Sequence, residues 1–498
     1  MTGPLLIGVD VGTQSVKACL FRLDGTRISH AAAPLTLHRR AGDEVYQEPE
    51  DFCRLVTSVI GSCVAASGRP DDVDVAAIGV AGQMAGILGI DAHGQAVTPY
   101  DSWLDSRCRA EVAEMDARQG NRLVELTGCP PMVAHAPKIL WWRRTHPAAY
   151  ASVAKFVVPS AFVSGRLCGL PAAEAYVDST HLHFTGLADA ARELWSAELA
   201  SEIGVDLGLL PRIAAPTEQI GGLTTAAAAA CGLRPGTPVA AGLGDTAAGA
   251  LGAGVVEEGQ LLDTAGTASV LGVSVARFRP DASRTLMLMR GAVPGQWISL
   301  SYLAGGDLLG WLARVLGGDA LDTLMREAAT AAGGGPLFVP HLGGRILPAA
   351  PRARGAWIGL EVSHTRGHLV RAVLESVAFE YAGFLERAVQ LFPGLVPREV
   401  RVIGGGSGNM LWNRIKASAL DAVYVQPRGQ AFSCWGAALV AAAAVGAVDN
   451  LAAAALGTAG PADQVDPDRS LKSQYAERLR DYRDAVGLLV PAHEEVSL

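Results

Sequence analysis

Apolar residues fill the opening of the chain, Leu5-Leu6-Ile7-Gly8-Val9, and a polar run with one glycine, Asp10-Val11-Gly12-Thr13-Gln14-Ser15, closes it. An apolar block of that length bounded by turn residues predicts a buried strand. Val16–Phe21 predicts a second strand, and Asp24-Gly25 is a hairpin signal leading into a third over Arg27–Leu37. The period then changes. Pro49-Glu50-Asp51 opens a helix, with Phe52, Leu55, Val56, Val59 and Ile60 recurring at helical spacing. Val75–Val80 is again an unbroken strand pattern, which Gly82 ends. Gly86–Ile90 reads as another, closed by Asp91-Ala92-His93-Gly94. Strands mixed with helices in this way predict an α/β fold.

The pattern later restarts. Residues 181–235 read as helical and loop-rich, ending in Ala226–Ala230 and the turn Arg234-Pro235-Gly236. Val239–Asp245 is a buried-strand pattern that ends in glycines and one acid. Gln260–Asp263, a turn, and Ala268–Ser274 then repeat the opening order. Val400–Ile403 runs into the glycine loop Gly404–Asn409, and a helix over Met410–Leu420 begins directly after it. The restart near residue 250 predicts two domains, 1–247 and 248–490, built as an internal repeat. A chain of 498 residues is also too long for one ordinary core.

Composition narrows the function classes. Half of the residues are apolar and 18% are charged, as in a well-buried globular enzyme. Net charge is -8 with no basic block, which argues against nucleic acid or an anionic membrane as partner. Gly436–Val448 is alanine-rich and too short to span a bilayer, so it reads as a packed helix. The chain starts without a basic leader or cleavage pattern, and its eight cysteines form no C-x-x-C pair. Reduced thiols in a cytoplasmic protein are therefore expected. His135, His181, His183 and His341 lack metal-ligand spacing and read as satisfied or surface histidines. Ser470–Leu489 reads as an amphipathic helix with Leu471, Tyr475, Leu479, Tyr482 and Val486 on one face. That face could meet its own domain or a second copy, so a homodimer stays open.

The candidate chemistry begins with two glycine–threonine turns half a chain apart, Gly12-Thr13-Gln14 and Gly266-Thr267. A glycine permits the tight turn, and the amides and hydroxyls after it can line a site for anionic oxygen. Two such turns suggest two halves facing one phosphate chain. Asp10, beside the first, could hold Mg²⁺ through water, or could simply satisfy turn amides. Asp245 ends an apolar strand among glycines, where a carboxylate can take the proton of an attacking hydroxyl. Its ordinary reading is a helix N-cap. Trp103, Asp105 and Arg107 suit a polyol, with C–H faces on the ring and hydroxyls on the charges. The plain alternative is a surface Asp–Arg pair beside a core tryptophan.

Six segments in order resemble the FGGY family of carbohydrate kinases, over Ile7 to about Val445. They are Asp10–Ser15; Gln83-Met84 with Trp103–Arg107; Ala136–Trp141; Gly242–Gly249; Gly355–Leu360 with His368–Glu375; and Gly404–Asn409. The resemblance implies two ribonuclease-H-like, actin-like ATPase domains flanking a deep cleft, with ATP and Mg²⁺ between them and a small sugar as partner. It implies Asp10 on the metal side. Gly12, Thr13, Gln14, Gly266 and Thr267 would lie on the phosphates, and Gly306, Gly405 and Asn409 around adenosine. Met84, Ala85, Trp103, Asp105, Asp245 and Thr246 would face the sugar, with Asp245 as base. The pentulose kinases of the family match best, those for D-xylulose first, on Gln83-Met84, Ala136–Trp141 and Phe338-Val339-Pro340. The chain departs from them at Ala85, where they carry histidine, at Gly344–Pro348 and at Val133-Ala134-His135. Kinases for glycerol, ribulose or a hexulose therefore remain competitors. A non-catalytic ATP clamp of the actin or chaperone type would leave Asp245 and the Trp103 segment without a use.

Overall fold

The computed structural model describes residues 4–68, 74–265, 269–303, 308–316, 321–331, 334–427, 429, 431–458 and 460–495. The expected phosphate residues Gly266 and Thr267 and the expected adenosine residue Gly306 lie outside the described residues.

The first sheet is built from β1 (Leu5–Val11), β2 (Ser15–Arg22), β3 (Arg27–Pro34), β4 (Val75–Gly82), β5 (Gln219–Gly222), β6 (Pro238–Ala240) and the short β7 (Leu243–Gly244). Its order is β5-β6-β4-β1-β2-β3, with β7 also on β4. The second sheet uses β8 (Leu261–Ala265), β9 (Ser269–Val275), β10 (Met287–Arg290), β11 (Trp297–Leu303), β12 (Val400–Ile403), β13 (Tyr424–Pro427) and β14 (Pro461–Val465), in the order β10-β11-β9-β8-β12-β13-β14. The two follow one plan. In each, the leading strand pairs antiparallel with the next and parallel with a strand that arrives after a helix. This is the expected pair of ribonuclease-H-like, actin-like α/β domains.

Local sequence explains the elements. The turn between β1 and β2 closes with Gly12 N–H donating to the Ser15 carbonyl at 3.1 Å. Helix α1 (Pro49–Ala65) has proline in its first turn, where no amide partner is lost, and acids Glu50 and Asp51 beside the positive end of its dipole. It buries Phe52, Leu55, Val56, Val59 and Ile60, the face its period predicted. Only the N-cap alternative for Asp245 fails: Gly244 is the N-cap, and Asp245 is the first residue of helix α3 (Asp245–Gly252). The side chain is thus released from capping.

Three further helices matter to the site: α2 (His135–Thr145), α4 (Arg366–Leu391) and α5 (Met410–Leu420). A fourth, α6 (Phe432–Ala444), comes from the second half of the chain but lies on the first sheet. A Cβ on Gly8 of β1 would fall 1.8 Å from the Cys434 carbonyl oxygen, so only glycine admits the helix there. Phe21 of β2 meets Trp435 with ring centroids 5.0 Å apart. Helix α3 crosses α6 equally closely, since a Cβ on Gly436 would fall 2.1 Å from the Ala248 carbonyl oxygen. A single apolar cluster therefore runs between the sheets, through Leu6, Ala247, Leu251, Leu262, Ile403, Ala437 and Val440.

The last helix, α7 (Lys472–Glu495), packs on its own domain. Tyr475 and Tyr482 are buried against Phe379 of α4, and Arg478 bonds Glu375. All eight cysteines are free, and all but Cys53 and Cys168 are buried. Among the described residues no helix is long and apolar enough to cross a membrane.

Candidate active site

Strand register brings the chemistry to one edge. Val11 of β1 lies beside Gly82 of β4, and Gly82 lies beside Gly244 of β7. The chain leaves each strand at the same level, so the Gly12-Thr13-Gln14 turn, the Gln83-Met84-Ala85 segment and Asp245 emerge together. Asp10 sits one residue before the end of β1, opposite the exposed Lys17.

Thr13 is the hub. Its hydroxyl accepts from the Trp103 indole N–H at 2.9 Å and donates to Gln83 Oε1 at 3.3 Å. Its carbonyl accepts from Gln47 Nε2 at 2.9 Å, and Gln83 Nε2 donates to Gln47 Oε1 at 2.7 Å. Two buried glutamines thus hold the turn. Gln47 was missed by the sequence reading. Its partners lie 34 and 36 residues away, and nothing local marks it. Gln14 is exposed, with its carbonyl accepting from Leu35.

Asp10 and Asp245 are both partly buried. Burial, helped by the charge of Asp245, pushes Asp10 up to about 6, with Lys17 opposing. Burial also raises Asp245, against hydrogen bonds from Thr246 and the influence of His181. Thr246 Oγ1 donates to Asp245 Oδ1 at 3.2 Å. Two carboxylates that each resist ionisation form a donor set suited to a hydrated cation. Among the described residues no cluster of three or more His, Cys, Asp or Glu side chains could hold a metal, so any such ion would keep water and substrate oxygens in its shell.

Met84, expected near the sugar, is buried with its thioether against Gly244. Ala85 stands at φ 62°, a left-handed conformation that costs a non-glycine residue about 1 kcal/mol or more. Asp105 differs from the surface pair weighed above. It is buried, its Oδ2 accepts from Val45 N at 2.8 Å and Arg107 Nε at 2.8 Å, and Arg107 N donates to its Oδ1 at 3.2 Å. Lys138 of α2, also buried, donates to the carbonyls of Ser102 and Asp105 at 2.9 and 2.8 Å. The Arg107 guanidinium lies over the Trp141 ring at 4.1 Å. The Ala136–Trp141 and Trp103–Arg107 segments therefore clamp each other, with Trp103 left half-buried.

Behind Asp245, Asp178 accepts from Thr180 and His181, and the Thr180 hydroxyl accepts from the Gly244 amide at 2.9 Å. Of the two sequence readings of the histidines, the surface one fails for His135, His181 and His183, which are all buried, while His181 is partnered at Nδ1 by Asp178 at 2.7 Å.

On the second domain, Gly405 and Asn409 line a cavity of about 890 Å³ with Ala265, Met325, Gly406 and Trp412. Asn409 caps α5 by accepting from Trp412 N, and its amide reaches Met325 Sδ. Beneath the cavity, buried Lys416 pairs with buried Asp263 of β8, to which Tyr381 also donates at 2.9 Å.

The FGGY carbohydrate-kinase N-terminal domain model matches residues 5–252 and the C-terminal domain model residues 264–445. The chain belongs to the FGGY family of carbohydrate kinases. This FGGY kinase is 30% identical over 418 residues to a xylulose kinase of Escherichia coli, covering 83% of this chain and 84% of that protein. It is 28% identical over 455 residues to a xylulose kinase of Bacillus subtilis, covering 90% and 89%. The crystal structure of xylulose kinase from Rhodospirillum rubrum superposes with a TM-score of 0.89 at 27% identity, covering 99% of this chain and 100% of that one. As a family member the protein is an ATP-dependent carbohydrate kinase, with the nucleotide-binding fold that activity requires.

Proposed function

We propose that this FGGY kinase phosphorylates a pentulose, D-xylulose first, to its 5-phosphate, with Asp245 as general base. The carrying observation is that Asp245, Asp10 and the Thr13 turn leave adjacent strand ends while Trp103 is hydrogen-bonded to that turn. The sugar would lie along Trp103, Met84 and Ala85 with its terminal hydroxyl toward Asp245. The carboxylate takes the hydroxyl proton as the oxygen attacks the γ-phosphorus in line, and ADP leaves. Thr13 and Gln14 would hold phosphate oxygens from the first domain, as Gly266 and Thr267 would from the second. Gly405 and Asn409 would border adenosine in the second-domain cavity. Asp10 would hold Mg²⁺ through water, and that ion, when bound, neutralises charge on the phosphates. Asp105 would act through the segment it braces. Thr246 would steady the base.

The xylulose assignment draws on the names of the relatives and on Gln83-Met84. A second reading, a kinase for another ketose or polyol, draws on Ala85, whose methyl offers a sugar hydroxyl no partner. We further propose a cytoplasmic enzyme whose partners are ATP and sugar, with neither nucleic acid nor membrane. The test is ADP release by purified protein with Mg-ATP over a panel of ketoses and polyols. D-xylulose giving the highest kcat/KM is expected. Rates equal to ATP alone throughout would end the reading.

A further inference from the structure

Tyr302, at the end of β11, is a second-domain residue that reaches the first-domain wall. Its ring meets Trp103 edge-on, with centroids 6.4 Å apart and planes at 79°. Trp103 is itself fixed by Thr13 and by the Lys138 and Arg107 clamp, so the contact is made against a rigid surface. Register places Tyr302 opposite Val270 of β9, the strand that follows Gly266-Thr267 in the sequence. No hydrogen bond engages its hydroxyl among the described residues, and the ring is only partly buried.

We propose that Tyr302 is a specificity-determining residue that reads, through its phenol O–H, a sugar hydroxyl close to the one that is phosphorylated. The inference rests on the reading that the sugar lies between Trp103 and Asp245. The wall on the first domain supplies a thioether from Met84, a methyl from Ala85 and an indole face from Trp103. These suit C–H groups but cannot rank epimers, which differ only in where a hydroxyl points. The polar vote must come from elsewhere, and Tyr302 is an O–H donor standing over that wall.

The electrostatics agree. Burial and the charge of Asp245 push the Tyr302 phenol well above its ordinary value. That upward shift keeps the phenol in its O–H form, a donor on the same side as the Asp245 carboxylate. Because the two residues ride on different domains, a sugar satisfies both only when the domains flank it. A sugar with the wrong epimer leaves a polar group unpaired at that moment, which is the arrangement that discriminates most strongly.

The experiment compares Tyr302→Phe with the wild-type protein on D-xylulose, D-ribulose and the other ketoses and polyols of the panel, with ATP varied separately. Phenylalanine keeps the ring against Trp103 and removes only the O–H. The expected result is a KM for the preferred sugar raised about tenfold, a KM for ATP within twofold, and a kcat/KM ratio between epimers that falls toward one. Tyr302→Leu, which also removes the ring, should raise the sugar KM further. An unchanged sugar KM and epimer ratio in Tyr302→Phe would overturn the inference, leaving the tyrosine as packing for Trp103. Equal rises in both KM values would overturn it too. A best substrate other than D-xylulose removes only the xylulose assignment, and Tyr302→Phe is then scored on that sugar. A wild-type protein that turns over no sugar removes both.

Discussion

The indole N–H of Trp103 donates to Thr13 Oγ1 at 2.9 Å, which makes Trp103 and the β1–β2 turn one hydrogen-bonded unit. Thr13 passes the constraint to Gln83, and Gln83 to Gln47. Trp103→Phe keeps most of the ring and removes the donor. A neutral hydrogen bond is worth about 1 kcal/mol, so kcat/KM should fall about fivefold for the sugar and, if Thr13 holds phosphate as proposed, also fall for ATP. Initial rates with each substrate varied check this, and an effect on the sugar alone would separate the two parts.

Asp245→Asn should lower kcat by a factor of about 10² to 10⁴, the range for a lost general base, and leave nucleotide affinity within a few-fold. Calorimetric titration with ADP beside steady-state kinetics checks both halves. The base must be ionised to act, and burial raises Asp245 above its ordinary 3.8. Activity should therefore fall as pH drops through that raised value. A kcat/KM profile flat down to pH 4 would contradict it.

Asp10 makes the opposite statement about stability. Its folded-state value of about 6 exceeds the ordinary 3.8, so between those pH values the folded protein binds more protons than the unfolded chain. Stability from this group is full below the window and is lost as pH rises through it. Asp10→Asn should raise the melting temperature at pH 7.5 in EDTA by a few degrees, roughly 1 to 3 kcal/mol, because partial solvent contact trims the effect. The gain should vanish near pH 4, while activity is lost at every pH. Calorimetric scans at both pH values measure it.

Lys416 and Asp263 form a buried ion pair, with the Lys416 ammonium also 4.5 Å from the Trp412 ring centroid. Removing one partner strands a charge, so Lys416→Met should cost about 3 to 5 kcal/mol. The double variant Lys416→Met with Asp263→Leu should recover most of that loss. Denaturant unfolding of the singles and the double closes the cycle, and additive losses would show that the two charges do not depend on each other.

What could be read from the chain follows how local each signal is. The β1–β2 turn, the buried face of α1 and the glycine loop before α5 depend on neighbours a few residues apart, and period or turn chemistry reveals them. The repeat was visible because the same order of strand, turn and strand recurs. The burial of Asp105 was opaque, since the lysine that covers its segment sits on a helix 33 residues downstream. Gln47 and Tyr302 carry no local mark at all: one works through a buried side-chain relay, the other across the gap between domains. Composition announced α6 as a packed helix, but its host sheet is set by Gly8 and by contacts more than 400 residues apart in sequence.

The placement of α6 has a mechanical corollary. The front half of the chain supplies β1 and β4, yet the cover over them arrives from the far end: Cys434 rests on Gly8, and Ala437 rests on Gly79. A fragment ending near residue 252 would leave that face bare, so the halves are interleaved rather than strung on a linker. Where α3 and α6 touch at Gly436, the joint between them has no slack for even a methyl group.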